Sequence, residues 1–289
     1  MKKKYTIFLT LLALLVFFNS ALPSYSLERI KIDSEKPITS GKGIWINIWN
    51  YPANPDMFLE TLRAKGIETL YLQVARSNTP AIKHPDALNK ILSSAHERGI
   101  KVIGWSYLFL NDPISDAQKF IDAVKYKTPN SETLDGVAVD IEEVTHAKAI
   151  ETFTKRVREE LGSKYPLIAI TFSPVTKNPK ALPANYAWKT IANNFDIIAP
   201  MVYWHGFVQY RSEKGAYDYT LQTISKLKEY TQKDNLKLHL IGDAQKTTSS
   251  EILGFLKAAS DAGVDSGVSL YPYYSPQEHQ LNTLSKYKF

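Results

Sequence analysis

With 289 residues the chain can bury a sizeable core, and the absence of cysteine excludes disulfides, thiolate nucleophiles and thiolate metal sites together. The formal charge of +6 includes Lys2, Lys3 and Lys4, so the remainder is only mildly basic. No Arg/Lys stripe interleaved with aromatics is present, which argues against a nucleic-acid partner and leaves only an unspecific attraction to anionic wall polymers or membrane surfaces.

The chain opens with those lysines, an apolar run from Ile7 to Phe18 and the small-x-small triplet Ser24-Tyr25-Ser26. This reads as a secretory signal peptide over residues 1–26, cleaved after Ser26. An uncleaved membrane anchor is the alternative, but the run falls short of the ~20 residues that span a bilayer, so no stable membrane insertion is expected after cleavage. The expected location is secreted or extracytoplasmic. Residues 27–42 are polar and mixed in charge, a leader onto the fold.

From Gly43 a pattern of short apolar runs and capped amphipathic segments sets in. The runs are Gly43–Trp49, Thr69–Ala75, Val102–Leu108, Val137–Glu142, Leu167–Phe172, Ile197–Trp204, Leu238–Asp243 and Gly267–Tyr273. They are mostly uninterrupted, as when both faces of a parallel sheet are buried. Asn54-Pro55 and Asp112-Pro113 have the form of an N-cap followed by proline at the first helical position. Leu88, Ile91, Leu92 and Ala95 recur at helical spacing before Gly99, and Ile150, Phe153, Val157 and Leu161 before Gly162. Leu221, Ile224 and Leu227, then Ile252, Phe255, Leu256 and Ala259, mark two later helices. Gly66, Gly99 and Gly263 each precede a strand.

Eight strand–helix units over roughly 250 residues predict a single (β/α)8 TIM barrel across residues 43–289, of the α/β class. An open doubly wound sheet would carry a glycine-rich loop after its first strand, and Trp49-Asn50-Tyr51-Pro52 is nothing like one.

In such a barrel the site lies at the C-terminal strand ends, and alternate residues face the lumen. Parity places Trp45, Asn47 and Trp49 inside from the first strand, and Tyr71 and Gln73 from the second, with Arg76 just past its end. Ala138, Asp140 and Glu142 follow from the fourth strand; Ala199, Met201 and Tyr203 share a face of the sixth, and Ser269, Tyr271 and Tyr273 a face of the eighth. A lumen of rings and polar groups suits a sugar, whose C–H faces stack on aromatics while its hydroxyls seek hydrogen bonds. Large aromatics that only fill a barrel core remain the bland alternative.

Asp140 and Glu142 leave one face of the strand about 6.6 Å apart at the backbone. A like charge and partial burial should raise the Glu142 pKa, as a general acid near neutral pH requires. Pairing of these acids with Arg76 or a lysine, merely to seal the barrel mouth, is the structural alternative. Glu143 has outward parity and reads as a charge at the start of the following helix.

Asp135-Gly136-Val137-Ala138-Val139-Asp140-Ile141-Glu142 resembles the fourth-strand signature Asp-Gly-x-Asp-x-Asp-x-Glu of chitinase-type (family 18) glycoside hydrolases, and Met201-Val202-Tyr203 resembles that family's sixth-strand Met-x-Tyr. The resemblance implies retaining hydrolysis assisted by the substrate's own 2-acetamido group. Glu142 matches the proton donor, Asp140 the carboxylate that orients the acetamido group, and Tyr203 the hydroxyl that bonds its carbonyl. Four positions depart from the pattern. Ala138 replaces the middle Asp, and Trp204 stands where an acid usually follows the tyrosine. Ile103-Gly104-Trp105-Ser106-Tyr107 lacks Ser-x-Gly-Gly, and the eighth strand offers Tyr271 and Tyr273 where a tryptophan commonly floors the sugar pocket.

The six histidines show no metal-ligand spacing, and no nucleophile elbow or phosphate loop is present, so no cofactor or metal is expected. His205 reads as a loop histidine. Asp243 and Gln245 end the seventh strand as substrate contacts or as a loop cap. The reading is a secreted glycoside hydrolase on a poly- or oligosaccharide, with an amino-sugar polymer of chitin or peptidoglycan type in view. Glu142, Asp140 and Tyr203 carry the chemistry. Trp45, Trp49, Gln73, Arg76, Trp105, Met201, Trp204, Asp243, Tyr271 and Tyr273 shape the sugar site. The alternatives are a non-catalytic carbohydrate-binding barrel and an inverting or lysozyme-type enzyme with Asp140 or Asp243 as base.

Overall fold

The computed structural model describes residues 36–143, 146–272 and 278–288. The expected signal peptide, most of the leader and Tyr273 lie outside the described residues.

Eight parallel strands close into a barrel in chain order: β1 (Lys42–Ile46), β2 (Thr69–Arg76), β3 (Lys101–Tyr107), β4 (Gly136–Asp140), β5 (Ile168–Phe172), β6 (Ile197–Val202), β7 (Leu240–Asp243) and β8 (Val268–Tyr271). Closure is made where Gly43 pairs with Ser269 across β1 and β8. Helices α1 (Pro55–Ala64), α2 (Pro85–Glu97), α3 (Pro113–Lys125), α4 (Ala147–Leu161), α5 (Trp188–Asn194), α6 (Glu213–Thr231), α7 (Ser249–Asp261) and α8 (Glu278–Ser285) alternate with them. Among the described residues no helix is long and apolar enough to cross a membrane.

The expected start and stop signals form. Asn54 accepts from the Met57 amide at 3.1 Å and Asp112 from the Ser115 amide at 3.1 Å, each before a proline in the first turn. Such caps stabilise a helix by about 1 kcal/mol each. Gly66, Gly99 and Gly263 all take φ between +65° and +69°, the left-handed turn that returns the chain to a strand.

Parity divides the core in two. Ile44, Ile46, Leu70, Leu72, Val137, Val139 and Ile141 face outward into the layer shared with the helices. Trp45, Tyr71, Ile103, Trp105, Ala138, Ile168, Ile170, Ile197, Ala199 and Ile241 fill the lumen. The aromatic floor needs space below it: a Cβ on Gly43 would stand 2.4 Å from the Tyr71 ring.

The end of the leader does more than lead. Residues 37–41 run along the N-terminal end of the barrel, where Thr39 Oγ1 donates to the Ser266 carbonyl (2.7 Å) and Lys101 Nζ donates to the carbonyls of Ile38 and Ser40 (2.8 and 3.1 Å). Above them, buried His239 joins the floor. The Trp45 indole N–H donates to Ser269 Oγ (2.6 Å), which meets His239 Nε2 at 2.7 Å. His239 Nδ1 faces the carbonyls of Thr39 (3.1 Å) and Ser266 (3.0 Å), so that nitrogen carries the proton and Nε2 accepts. Burial holds the imidazole down at about 4, hence neutral.

Candidate functional site

At the C-terminal ends of the strands the lumen opens into a pocket of about 310 Å³ lined by Trp45, Trp105, Asp140, Glu142, Ile170, Phe172, Thr176, Asn178, Met201, Tyr203, Ile241 and Tyr271. Seven of these were singled out from the sequence. Trp45 stacks on Tyr71 with ring centroids 4.0 Å apart, and Trp105 meets Trp45 edge-on at 5.9 Å. Tyr203 and Tyr271 stack at 6.1 Å and 16° on the other side. The indole floor therefore comes from β1 and β3.

Asp140 ends β4 beside Tyr107 of β3 and Ile170 of β5. Its carboxyl is held well above the ordinary range, by burial first and then by the nearby charge of Glu142. Glu142 is also raised, by burial first and then by Glu143, while Lys180 and Arg76 oppose. The direction is the one expected; the leading cause is burial rather than a charged Asp140. Two wall atoms, Asp140 Oδ1 and Trp105 Nε1, are buried without a hydrogen-bond partner among the described residues. Both belong to residues that line the pocket, and a buried polar atom left without a partner costs stability. Burial also raises the Tyr203 hydroxyl well above its ordinary range, which keeps it a proton donor.

The strand ends at Asp140, so parity stops there, and Glu143 is not a helix-start charge. Its carboxylate accepts from the Tyr107 hydroxyl (2.9 Å) and pairs with Lys180 at the pocket mouth. Lys180 and Asn178 belong to the loop after β5, which no periodic pattern marked. Within it the Asn178 carboxamide oxygen caps a short 3-10 turn by accepting from the Lys180 amide. From the same loop the Tyr186 hydroxyl donates to the Ile141 carbonyl (2.9 Å), fixing the turn that aims Glu142.

Several sugar-contact candidates stand elsewhere. Trp204 is fully buried away from the lumen, stacked on Phe255 of α7 at 5.3 Å with its indole N–H donating to Glu251. It is a helix-packing residue, because the chain leaves β6 at Val202 and turns outward as a 3-10 turn over 204–206. Gln73 is buried level with Trp105 but is not part of the pocket wall, and its side-chain oxygen accepts from the Ile48 amide (3.0 Å). Asp243 lies at the end of β7, not in the pocket wall; it accepts from the Gln245 amide (2.7 Å), a loop cap, and burial pushes it up to about 6. His205 is bound to Glu251 at 2.7 Å, as a loop histidine would be.

Arg76 and Trp49 stand beside the mouth. Between β2 and β3 the register slips by one residue, with Gln73 opposite Trp105 but Ala75 opposite Ser106. The slip turns Ala75 outward and Arg76 inward, next to Tyr107, which simple alternation could not foresee. Trp49 falls beyond β1, in a turn, with 63% of its surface exposed.

No protein-family model matches the sequence, and no curated protein matches it. Solved structures do share its fold. The Bacillus cereus spore cortex-lytic enzyme SleL superposes with a TM-score of 0.65 over 86% of this chain and 75% of its own, at 11% identity. The ICChI chitinase of Ipomoea carnea gives 0.57 over 84% and 98%, at 15% identity. A class V chitinase from Pseudomonas fluorescens gives 0.61 over 85% and 98%, at 11% identity. The chain is thus similar in fold to chitinase-type glycosidase barrels, as the fourth-strand motif implied.

Proposed function

We propose that this barrel is an exported glycoside hydrolase that cleaves an amino-sugar polymer of chitin or peptidoglycan type, with Glu142 as its acid/base. One observation carries the reading. Two carboxyls with raised pKa line an aromatic pocket together with a hydroxyl donor, and one of them, Asp140, has a buried oxygen without a hydrogen-bond partner among the described residues. The structures that share the fold, chitinases and a spore cortex-lytic enzyme by their names, support the substrate class.

In the proposed reaction the sugar to be cleaved lies on Trp45 with its 2-acetamido group toward Asp140. Protonated Glu142 gives its proton to the glycosidic oxygen as the C–O bond breaks. The acetamido carbonyl oxygen closes on the anomeric carbon, forming a cyclic oxazolinium in place of an enzyme ester. The Asp140 carboxyl accepts the acetamido N–H, and the Tyr203 hydroxyl donates to the acetamido oxygen. Water then adds at the anomeric carbon, gives its proton to the Glu142 carboxylate and reopens the ring. Burial favours the acid form of Glu142 that the first step consumes.

A second reading, a carbohydrate-binding barrel without turnover, is favoured by Ala138, which leaves no carboxylate beneath Asp140 to share a proton. One assay separates the two: release of reducing ends from chitin, peptidoglycan and neutral glycans by the purified chain and by Glu142→Gln. We expect a loss of about 10²–10⁴-fold in the variant. Turnover that survives the substitution removes Glu142 as the acid, and binding without turnover in the parent establishes the second reading.

A further inference from the structure

A cationic aromatic cluster beside the pocket is not used by the chemistry above. The guanidinium carbon of Arg76 lies 4.4 Å from the Tyr107 ring centroid and 5.4 Å from that of Trp49, and Lys83 Nζ lies 5.1 Å from the Trp49 ring. Neither cationic head group has a hydrogen bond or ion pair among the described residues. Trp49 nevertheless keeps most of its surface in solvent.

The backbone beneath these side chains is pinned. Lys119 Nζ donates to the carbonyls of Arg76 (3.1 Å), Ser77 (2.6 Å) and Thr79. Ser77 Oγ donates to buried Asp116 (2.9 Å) and accepts from the Phe109 amide (2.8 Å). At the far end of the loop the Lys83 amide donates to the Val74 carbonyl (2.9 Å). A pinned backbone therefore holds both cations against an exposed indole. The cluster adjoins the mouth, because Tyr107 also donates to Glu143 and Arg76 is close enough to act on Asp140 and Glu142.

An exposed ring offers a stacking face for the C–H side of a sugar. The two cations can donate to the hydroxyls of a neutral sugar, but with a carboxylate they make the stronger, charge-assisted bonds. We propose that Trp49, Arg76 and Lys83 form a second sugar-binding position, next to the pocket, for a glycan residue that bears a carboxylate. The proposal rests on the glycan-cleaving reading and narrows its substrate to an acidic polymer.

The test compares two soluble polymers of one backbone, neutral glycol-chitin and anionic carboxymethyl-chitin, by affinity electrophoresis of the full chain carrying Glu142→Gln. An exposed cation–carboxylate pair is worth a factor of up to about five, so two should favour carboxymethyl-chitin about fivefold to tenfold. Adding Arg76→Gln and Lys83→Gln should bring that ratio close to one. Lys155→Gln with Lys214→Gln, which removes the same charge from distant helices, should leave it unchanged. Trp49→Ala should weaken binding of both polymers. Equal binding of the two polymers by the parent, a preference that survives loss of Arg76 and Lys83, or an equal fall in the distant-lysine control each overturns the proposal. If neither polymer is bound while the unsubstituted chain still hydrolyses glycol-chitin, this position alone is refuted. If neither is bound nor hydrolysed, the glycan reading falls with it.

Discussion

Replacing Asp243 by asparagine should stabilise the protein, and by an amount set by pH. Asp243 is nearly buried at the end of β7, its carboxyl accepts from the Gln245 amide, and burial raises it from 3.8 to about 6. A group raised in this way contributes stability that is fully present below 3.8 and is lost as the pH rises through about 6. The difference of about two pH units, at 1.36 kcal/mol each, puts the whole loss at about 3 kcal/mol above pH 7. Asparagine keeps the oxygen that meets Gln245 and carries no charge. Asp243→Asn should therefore gain about 3 kcal/mol over the parent at pH 7.5 but only about 0.5 kcal/mol at pH 4. For a chain of this size the larger figure is about 6–10 °C in Tm. Thermal unfolding of both proteins, followed by circular dichroism from pH 4 to 8, reads it directly. A gain that does not grow with pH, or no gain at pH 7.5, would refute the account of Asp243 as a buried carboxyl ionised at a cost.

Three further outcomes follow from the same geometry. The charge of Glu143 raises Glu142 and that of Lys180 lowers it, so Glu143→Gln should move the alkaline limb of the pH–rate profile to lower pH and Lys180→Met to higher pH; kcat/KM against pH measures both. Trp45→Phe removes the donor to Ser269 at the pocket floor and should cost about 1–2 kcal/mol, with weaker oligosaccharide binding seen by titration calorimetry. On α7 a Cβ at Gly254 would stand 2.0 Å from the Glu213 carbonyl oxygen at the start of α6, so Gly254→Ala should lower stability by about 1–3 kcal/mol in chemical denaturation.

Where strands run straight, the sequence was readable. Alternation put Trp45, Tyr71, Ala138, Asp140 and Met201 in the lumen, and they are there, because a period of two leaves a buried strand no other choice. It failed where the backbone leaves that period. Arg76, expected just past the strand, is its last residue and turns inward because the register slips before it; Glu143 was misplaced because its strand had already ended; Trp204, on the face opposite Tyr203, was set at the site by the family pattern and not by alternation. Asn178, Lys180 and Tyr186 reach the site from a loop whose only local signal is the turn-forming Asn178-Pro179. His239 gave no sign at all, since a single histidine at the start of an apolar strand looks the same whether or not it organises a floor.

The seal beneath Trp45 bears on how turnover is ordered. With the lumen closed by the Trp45–Ser269–His239 chain and by residues 37–41, no channel leads through the barrel from below among the described residues. Among the described residues, whatever enters and leaves the pocket does so at the C-terminal ends of the strands, where Asn178 and Tyr271 line it. In the proposed reaction the water that completes hydrolysis enters from the end by which the departing sugar leaves, so release of the first fragment precedes arrival of the second reactant. A short oligosaccharide held at that end would then stall the proposed reaction halfway.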